Sequence, residues 1–123
     1  CAPSDLKLAD AVAKLRAPLL LIGAEVAWRG WQICCPREHN YQRFFAHAPP
    51  GTVEITLRDA DHVQVMDNPD FPGQQICRVG GADSRVVRTL ARRALVAFFV
   101  EKLENGPAAT FGLGSNGSMR VKR

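Results

Sequence analysis

The apolar run at residues 19–22 constrains the fold of this chain more than any other feature. It reads Leu-Leu-Leu-Ile and stands between Pro18, which disfavours a helix before it, and Gly23. A short segment that is apolar at every position is typical of a strand in a parallel sheet, because helices cover such a strand on both faces. The run therefore predicts a buried strand with neighbouring strands on both sides.

The segments around this strand fit an α/β fold. Helical spacing predicts helices over residues 6–15 and 38–48, and a third helix that begins at Asp83 or Ser84 and runs to about Leu103. Residues 52–57 alternate polar and apolar with β-branched side chains, which predicts a second strand with one face more exposed. The order helix, strand, helix, strand, long loop, helix is a βαβ unit with an added helix.

Two parallel strands and their crossover helix do not form a stable sheet alone. We therefore expect the missing strands to come from another chain or from sequence upstream of Cys1, since the chain has no initiating Met. Residues 105–123 end in a Gly/Ser-rich, basic segment, which predicts a flexible tail.

Composition and charge narrow the classes of function. With 46% hydrophobic and 23% charged residues, the chain is globular rather than disordered, and no apolar run approaches the roughly 18 residues that cross a bilayer. The net charge is +4, with Arg85, Arg88, Arg92 and Arg93 in one predicted helix. Nucleic-acid binding is not expected, because no exposed aromatics are interleaved with these arginines, which are interpreted as the solvated side of the helix.

The four cysteines show neither a C-x-x-C pair nor zinc-finger spacing: Cys1, Cys34, Cys35 and Cys77. Buried thiols are predicted, and a disulfide from Cys77 to Cys34 or Cys35 is the alternative. A metal held by Cys34, Cys35 and His39 is disfavoured, because this spacing does not suggest four ligands. No metal or organic cofactor is expected.

His62 is the residue predicted to carry chemistry. It follows the second strand by a few residues, and parallel sheets place functional groups beyond the carboxyl ends of their strands. In α/β-hydrolases the triad runs Ser, then Asp or Glu, then His, which puts the histidine between the last strand and the last helix. Such a base needs a carboxylate on one ring nitrogen and a serine hydroxyl on the other. An ordinary loop histidine is the alternative.

Several blocks, in order and spacing, resemble the chlorophyllase family of α/β-hydrolases. Residues 62–67, His-Val-Gln-Val-Met-Asp, resemble the motif G-H-L/M-D-M-L-D-D, which holds the catalytic histidine of that family. The other matching blocks are residues 18–23 with P-x-x-V-I-G, residues 35–45 with C-A-P-x-x-x-N-H-x-x-F-F, Cys77 with the family's cysteine, and residues 88–103 with its closing V-V-A-F-L helix. The resemblance covers approximately residues 19–103.

Some positions depart from the family pattern. Asp61 replaces the glycine before the histidine, Gln64 replaces the aspartate that follows it, and Tyr41 replaces a histidine. The nucleophile elbow G-H-S-R-G-G would lie upstream of this sequence. Ser115, in a Gly-rich stretch after the last helix, lacks the strand–turn–helix setting of such a nucleophile and is not proposed as one.

The resemblance implies that residues 1–104 are the C-terminal part of an α/β-hydrolase domain: its last two parallel strands, their crossover helix and the closing helix. It implies hydrolysis of the phytyl ester of chlorophyll to chlorophyllide and phytol by a Ser-His-Asp mechanism in the chloroplast. His62 would be the base, and a second polypeptide with the N-terminal half would supply the serine. The triad acid would lie upstream, as in the family, or would be Glu25, as in many α/β-hydrolases.

The residues predicted to line an apolar pocket for the substrate are Trp28, Trp31, Val63, Val65 and Met66. The alternative is that they only anchor their loops. No transmembrane segment is expected, while peripheral contact with a membrane is compatible with the sequence. Two other readings of function stay open, namely a generic lipase or esterase and a non-catalytic fragment derived from a hydrolase.

Overall fold

The computed structural model describes residues 11–28, 40–67, 80–104 and 118–123. Within these residues, the fold comprises a three-stranded sheet, two α-helices that are described from end to end, and helical residues 11–13. The strands are β1 (Leu20–Ala24), β2 (Val53–Leu57) and β3 (Met119–Lys122), and the helices are α1 (Tyr41–His47) and α2 (Ser84–Leu103). Short 3-10 helices at Glu25–Trp28 and His62–Val65 follow β1 and β2. The sheet is mixed, because β2 pairs in parallel with β1 and antiparallel with β3.

The predicted α/β class is confirmed at this coarse level. α1 begins at Tyr41 rather than at residue 38, because the side chain of Asn40 caps it by accepting a hydrogen bond from the Arg43 amide at 3.2 Å. α2 ends at Leu103, as predicted, and Asp83 is its N-cap. Of the predicted first helix, residues 11–13 are helical and the upstream part lies outside the described residues.

One face of the sheet packs on α2 and forms the hydrophobic core. Val53, Ile55 and Leu57 alternate along β2 on this face and are each at most 1% exposed. They pack with buried residues of α2, among them Val87 and Phe98. Burying a side chain of this size contributes about 1.5–3 kcal/mol to stability, so this face is the main source of the folding free energy.

The other face of β2 is also buried, although the sequence predicted it to be more exposed. Glu54 and Thr56 are 1% and 0% exposed, since α1 lies over them. The Tyr41 hydroxyl of α1 donates a hydrogen bond to Thr56 Oγ1 at 3.3 Å. A Cβ atom on Gly23 would overlap the Tyr41 ring, so the glycine allows α1 to approach β1 closely.

The prediction for β1 is wrong in the opposite direction, because this strand is less buried than predicted. The sequence predicted a strand covered on both faces, but Leu20, Leu21 and Ile22 are only partly buried. β1 is an edge strand of the described sheet, whereas β2 lies in the centre between two partners. Position in the sheet therefore sets the burial of these two strands, and their side-chain patterns alone do not.

The predicted flexible tail is wrong for its last residues, because Met119–Lys122 form β3. The second edge of β2 needs hydrogen-bond partners, since a buried strand cannot leave its backbone groups unmatched. β3 supplies them and places Met119, 8% exposed, in the core. The preceding residues 105–117 lie outside the described part of the chain.

An ion pair between a buried and an exposed side chain ties β3 to β2. The Glu54 carboxylate, 1% exposed, lies 3.3 Å from Lys122 Nζ. Replacing Lys122 by Gln leaves a buried carboxylate without its counter-charge, so we expect a loss of about 1–3 kcal/mol in the free energy of unfolding. This range lies below that for fully buried pairs, because the Lys122 side chain is 46% exposed. Urea unfolding monitored by circular dichroism measures this loss in the free energy of unfolding.

The matched control is Arg120→Gln, a change at an exposed residue of the same strand, which we expect to alter stability by less than about 0.5 kcal/mol. The double variant Glu54→Gln/Lys122→Gln should recover much of the loss, because it removes both charges together. Equal effects of Lys122→Gln and Arg120→Gln would contradict the role given to the ion pair.

Candidate active site around His62

The candidate site is built where the carboxyl ends of β1 and β2 meet. The turns after the two strands are joined by two hydrogen bonds, from Val26 N to Ala60 O at 2.9 Å and from Asp59 N to Glu25 Oε2 at 3.1 Å. A third bond, from Ala82 N to Asp59 O at 2.9 Å, ties in the segment before α2. The loop that carries the predicted base is therefore held on both sides.

A reciprocal capping box fixes the 3-10 helix that begins at His62. Asp61 Oδ1 accepts hydrogen bonds from the amides of Val63 and Gln64, both at 3.0 Å, and Gln64 Oε1 accepts one from the Asp61 amide at 2.8 Å. Asp61 is 0% exposed. His62 lies between the two members of the box, so its backbone is defined by hydrogen bonds on either side.

This box also binds the segment that precedes α2. Asp61 Oδ2 accepts a hydrogen bond from the Gly80 amide at 3.1 Å, and the Gln64 side chain donates one to the carbonyl of Ala82. A Cβ atom on Gly80 would lie 2.6 Å from Gln64 Oε1, so this close approach requires glycine. Asp61 and Gln64 are two of the departures from the chlorophyllase pattern, and together they form one structural unit.

The sequence contains a signal for this unit. Asp61 followed three residues later by Gln64 is the spacing of a capping box. The structure shows that Asp61 caps this 3-10 helix and that its side chain is buried.

The imidazole of His62 is partly buried, and its Nδ1 atom has no hydrogen-bond partner within the described part of the chain. Burial lowers the pKa of His62 below its ordinary value of 6.5, and the neighbouring Asp61 carboxylate opposes that shift. The ring is therefore neutral near pH 7, which is the protonation state that a general base requires. A buried ring nitrogen of this kind is usually satisfied by a partner.

Glu25, the candidate triad acid within this chain, is engaged elsewhere. Its carboxylate accepts a hydrogen bond from the Asp59 amide, and the described residues provide no hydrogen bond to His62 Nδ1. The geometry thus gives the assignment of Glu25 as triad acid no support. The alternative position, upstream of this sequence, stays a prediction.

The predicted pocket residues fall into three groups. Val63 is 2% exposed and packs in the interior, whereas Val65 and Met66 are 41% and 44% exposed on the surface beside His62. Trp28 ends the first 3-10 helix, but its side chain is not among those described, and Trp31 lies outside the described residues. Substrate binding by any of these residues stays a prediction.

Arg88 and Arg92, which the sequence placed on the solvated side of the last helix, bind the loop that carries His62 to α2. Arg88 Nη1 donates a hydrogen bond to Met66 O at 3.3 Å, and Arg92 Nη2 lies 2.6 Å from Asp67 Oδ1. A shallow groove of about 260 Å³ lies between β1 and α2, with Val65 in its lining. Val65, three residues after His62, thus borders a concave surface.

We also searched the described residues for a metal site, a disulfide and a membrane-spanning helix. These residues contain no group of three His, Cys, Asp or Glu side chains placed to hold a metal ion. All four cysteines lie outside them, so the buried thiols stay a prediction and the disulfide stays its alternative. Of the helices in this part of the chain, none is long and apolar enough to span a bilayer.

Comparison of this chain with models of known protein families, with curated proteins and with solved structures gave no match.

The capping box gives a first prediction for the site. Asp61→Ala removes the acceptor for three amides, so we expect a loss of about 2 kcal/mol or more in the free energy of unfolding. Asp61→Asn keeps an acceptor oxygen and should lose less than half as much. Urea unfolding gives the two values, and amide chemical shifts of Val63, Gln64 and Gly80 report the cap directly. Equal losses for the two variants would exclude the capping role.

A second prediction concerns the protonation of His62. Its folded-state pKa lies below 6.5, so in the window between the two values the unfolded chain binds more protons. Stability should consequently fall as the pH decreases through that window. An NMR titration of the His62 ring gives the pKa, and urea unfolding between about pH 7.5 and 5 gives the stability. His62→Gln should lack this part of the acid dependence, and a His62 pKa at or above 6.5 would refute the prediction.

Proposed function

We propose that this chain carries the general base of a carboxylic ester hydrolase of the chlorophyllase type. One observation carries the proposal. His62 lies directly beyond the carboxyl end of β2, its backbone is held by a capping box, and its ring is kept neutral with Nδ1 buried and unmatched among the described residues. This is the position and the protonation state that a triad histidine needs.

In the proposed reaction, His62 Nε2 accepts the proton of a serine hydroxyl as the serine oxygen attacks the ester carbonyl carbon. The tetrahedral intermediate collapses with cleavage of the ester C–O bond, and the imidazolium gives its proton to the departing alkoxide, which leaves as phytol. Water then attacks the acyl-enzyme, with His62 again as base, and releases chlorophyllide. A carboxylate on Nδ1 would stabilise the imidazolium that forms twice in this cycle.

The serine and the carboxylate are proposed to come from polypeptide outside these 123 residues, the predicted second half of the hydrolase. His62 Nδ1 supports this division, because this nitrogen is buried and the described residues leave it without a hydrogen-bond partner. The substrate is proposed to be chlorophyll, or else a smaller ester of the kind that lipases and esterases cleave. The exposed Val65 and Met66 beside His62 suit an apolar chain in either case. A chloroplast location belongs to the chlorophyll proposal only.

A second candidate function is a non-catalytic fragment derived from a hydrolase. The observation in its favour is that the Glu25 carboxylate accepts a hydrogen bond from the Asp59 amide. Within the described residues, His62 Nδ1 is left without a carboxylate partner. In this case the capping box and the buried loop would serve stability alone.

The experiment is a native purification of the protein from its source, followed by labelling with a fluorophosphonate probe and intact-mass analysis. We expect a second, serine-labelled polypeptide to co-purify and the pair to hydrolyse p-nitrophenyl butyrate and chlorophyll. Reconstitution with His62→Ala should lower kcat by about 10⁴-fold or more, while His47→Ala, a change at an exposed histidine of α1, should leave it unchanged.

Unchanged turnover with His62→Ala would remove His62 from the mechanism. A chain that exists without a serine-bearing partner and has no esterase activity would leave the non-catalytic candidate. Cleavage of p-nitrophenyl butyrate without cleavage of chlorophyll would place the protein among generic esterases.

A further inference from the structure

The two edge strands of the described sheet differ in charge, and this difference indicates which edge can bind another strand. β3 closes one edge, and its Arg120 and Lys122 are exposed and charged, which is a common protection against further strand pairing. β1 lies at the other edge and reads Leu-Leu-Ile-Gly-Ala, with no charge and no proline. By this criterion the β1 edge is open to another strand.

The hydrogen-bond ladder shows which groups of β1 face that edge. Val53 N donates to Leu19 O at 2.9 Å, and Leu20 is the register partner of Val53. In a parallel ladder the groups that bond β2 then belong to residues 19, 21 and 23. The amides and carbonyls of Leu20, Ile22 and Ala24 point away from β2, where the described residues supply no strand.

An exposed apolar stripe runs along α2 and comes close to this edge. Leu95, Phe99 and Leu103 are 43%, 50% and 73% exposed and recur at intervals of four, so they share one face of the helix. The groove described above joins this face to β1, because Leu95 and Ile22 both line it. The open strand edge and the apolar stripe therefore form one continuous surface.

The rim of this surface is basic. Arg88 and Arg92 both lie within 4 Å of the single carboxylate of Asp67, at 3.8 and 2.6 Å, and so keep an excess of positive charge. The chain as a whole has a net charge of +4. A second copy of the chain would bring the same arginines, whereas an acidic partner would complement them.

We propose that the β1 edge and the stripe Leu95, Phe99 and Leu103 bind a strand–helix unit of another polypeptide. Its apolar strand pairs with β1 through the outward groups of Leu20, Ile22 and Ala24. Its helix packs an apolar face on the stripe and directs carboxylates at Arg88 and Arg92. This inference deepens the proposed function and rests on it in one respect, since it gives the docking site of the polypeptide that carries the serine.

The test uses a synthetic peptide with a five-residue valine-rich strand, a short turn and an amphipathic helix of Leu and Glu. Amide hydrogen exchange of the full chain is the measurement. We expect the Glu peptide to slow exchange at Ile22 and Ala24 by about tenfold or more and to leave Leu21, which already bonds β2, unchanged. A peptide with Lys in place of Glu should bind about tenfold more weakly, and one with Pro in the strand should give no protection.

Two matched variants locate the helix contact. Leu95→Glu should weaken binding of the Glu peptide about tenfold, because it adds a carboxylate to the stripe. Val86→Glu changes a residue of the same helix with similar exposure, 46% against 43%, which lies outside the stripe, and should leave binding unchanged. Circular dichroism and urea unfolding establish that both variants fold. Should Leu95→Glu fail to fold, Leu103→Glu, at a residue 73% exposed, replaces it.

Equal binding of the Glu and Lys peptides, or exchange at Ile22 that no peptide slows, overturns the proposal. Sedimentation that shows a dimer of this chain, with Ile22 protected in the dimer, also overturns it, because a second copy is then the occupant. None of these measurements involves ester hydrolysis. An inactive protein that still binds the peptide therefore refutes only the hydrolase, and an active complex with an unprotected β1 edge refutes only the docking site.

Discussion

The structure depends on the complete burial of β2. This strand has a partner on each edge and a helix on each face, and its five residues are all buried. α2 covers the apolar face with Val87 and Phe98, and α1 covers the face that contains Glu54 and Thr56. Because a buried carboxylate needs a counter-charge, Glu54 also requires Lys122, and the C-terminal residues of the chain become part of the sheet.

The same strand positions the candidate chemistry. The turn that follows β2 is bonded to the turn after β1 and to the segment before α2, and the Asp61–Gln64 capping box then sets the backbone of His62. The backbone position of His62 therefore depends on hydrogen bonds that join three segments far apart in the chain. The ring itself is left with a buried Nδ1, a group that a carboxylate would satisfy.

The asymmetry of the sheet links the fold to the proposed partner. A short, charged strand covers one edge of β2, whereas the outer edge of β1 is apolar and lies beside the exposed stripe of α2. Unprotected edges are costly for a protein to expose, because they pair with other strands. The proposed docking surface at β1 and the proposed serine on other polypeptide would have one common cause, namely that the fold is completed from outside these 123 residues.

The local structure of this chain could be predicted from its sequence. Periodicity and flanking Pro and Gly located β1, β2, α1 and α2 to within a few residues, and the position of His62 after β2 followed from chain order. Three features became evident only in the folded chain: which strand is central, that Met119–Lys122 form a strand, and that Asp61 and Gln64 are buried around His62. Local pattern reflects short-range propensity, whereas burial and strand pairing depend on residues far apart in the chain, which a single sequence does not bring together.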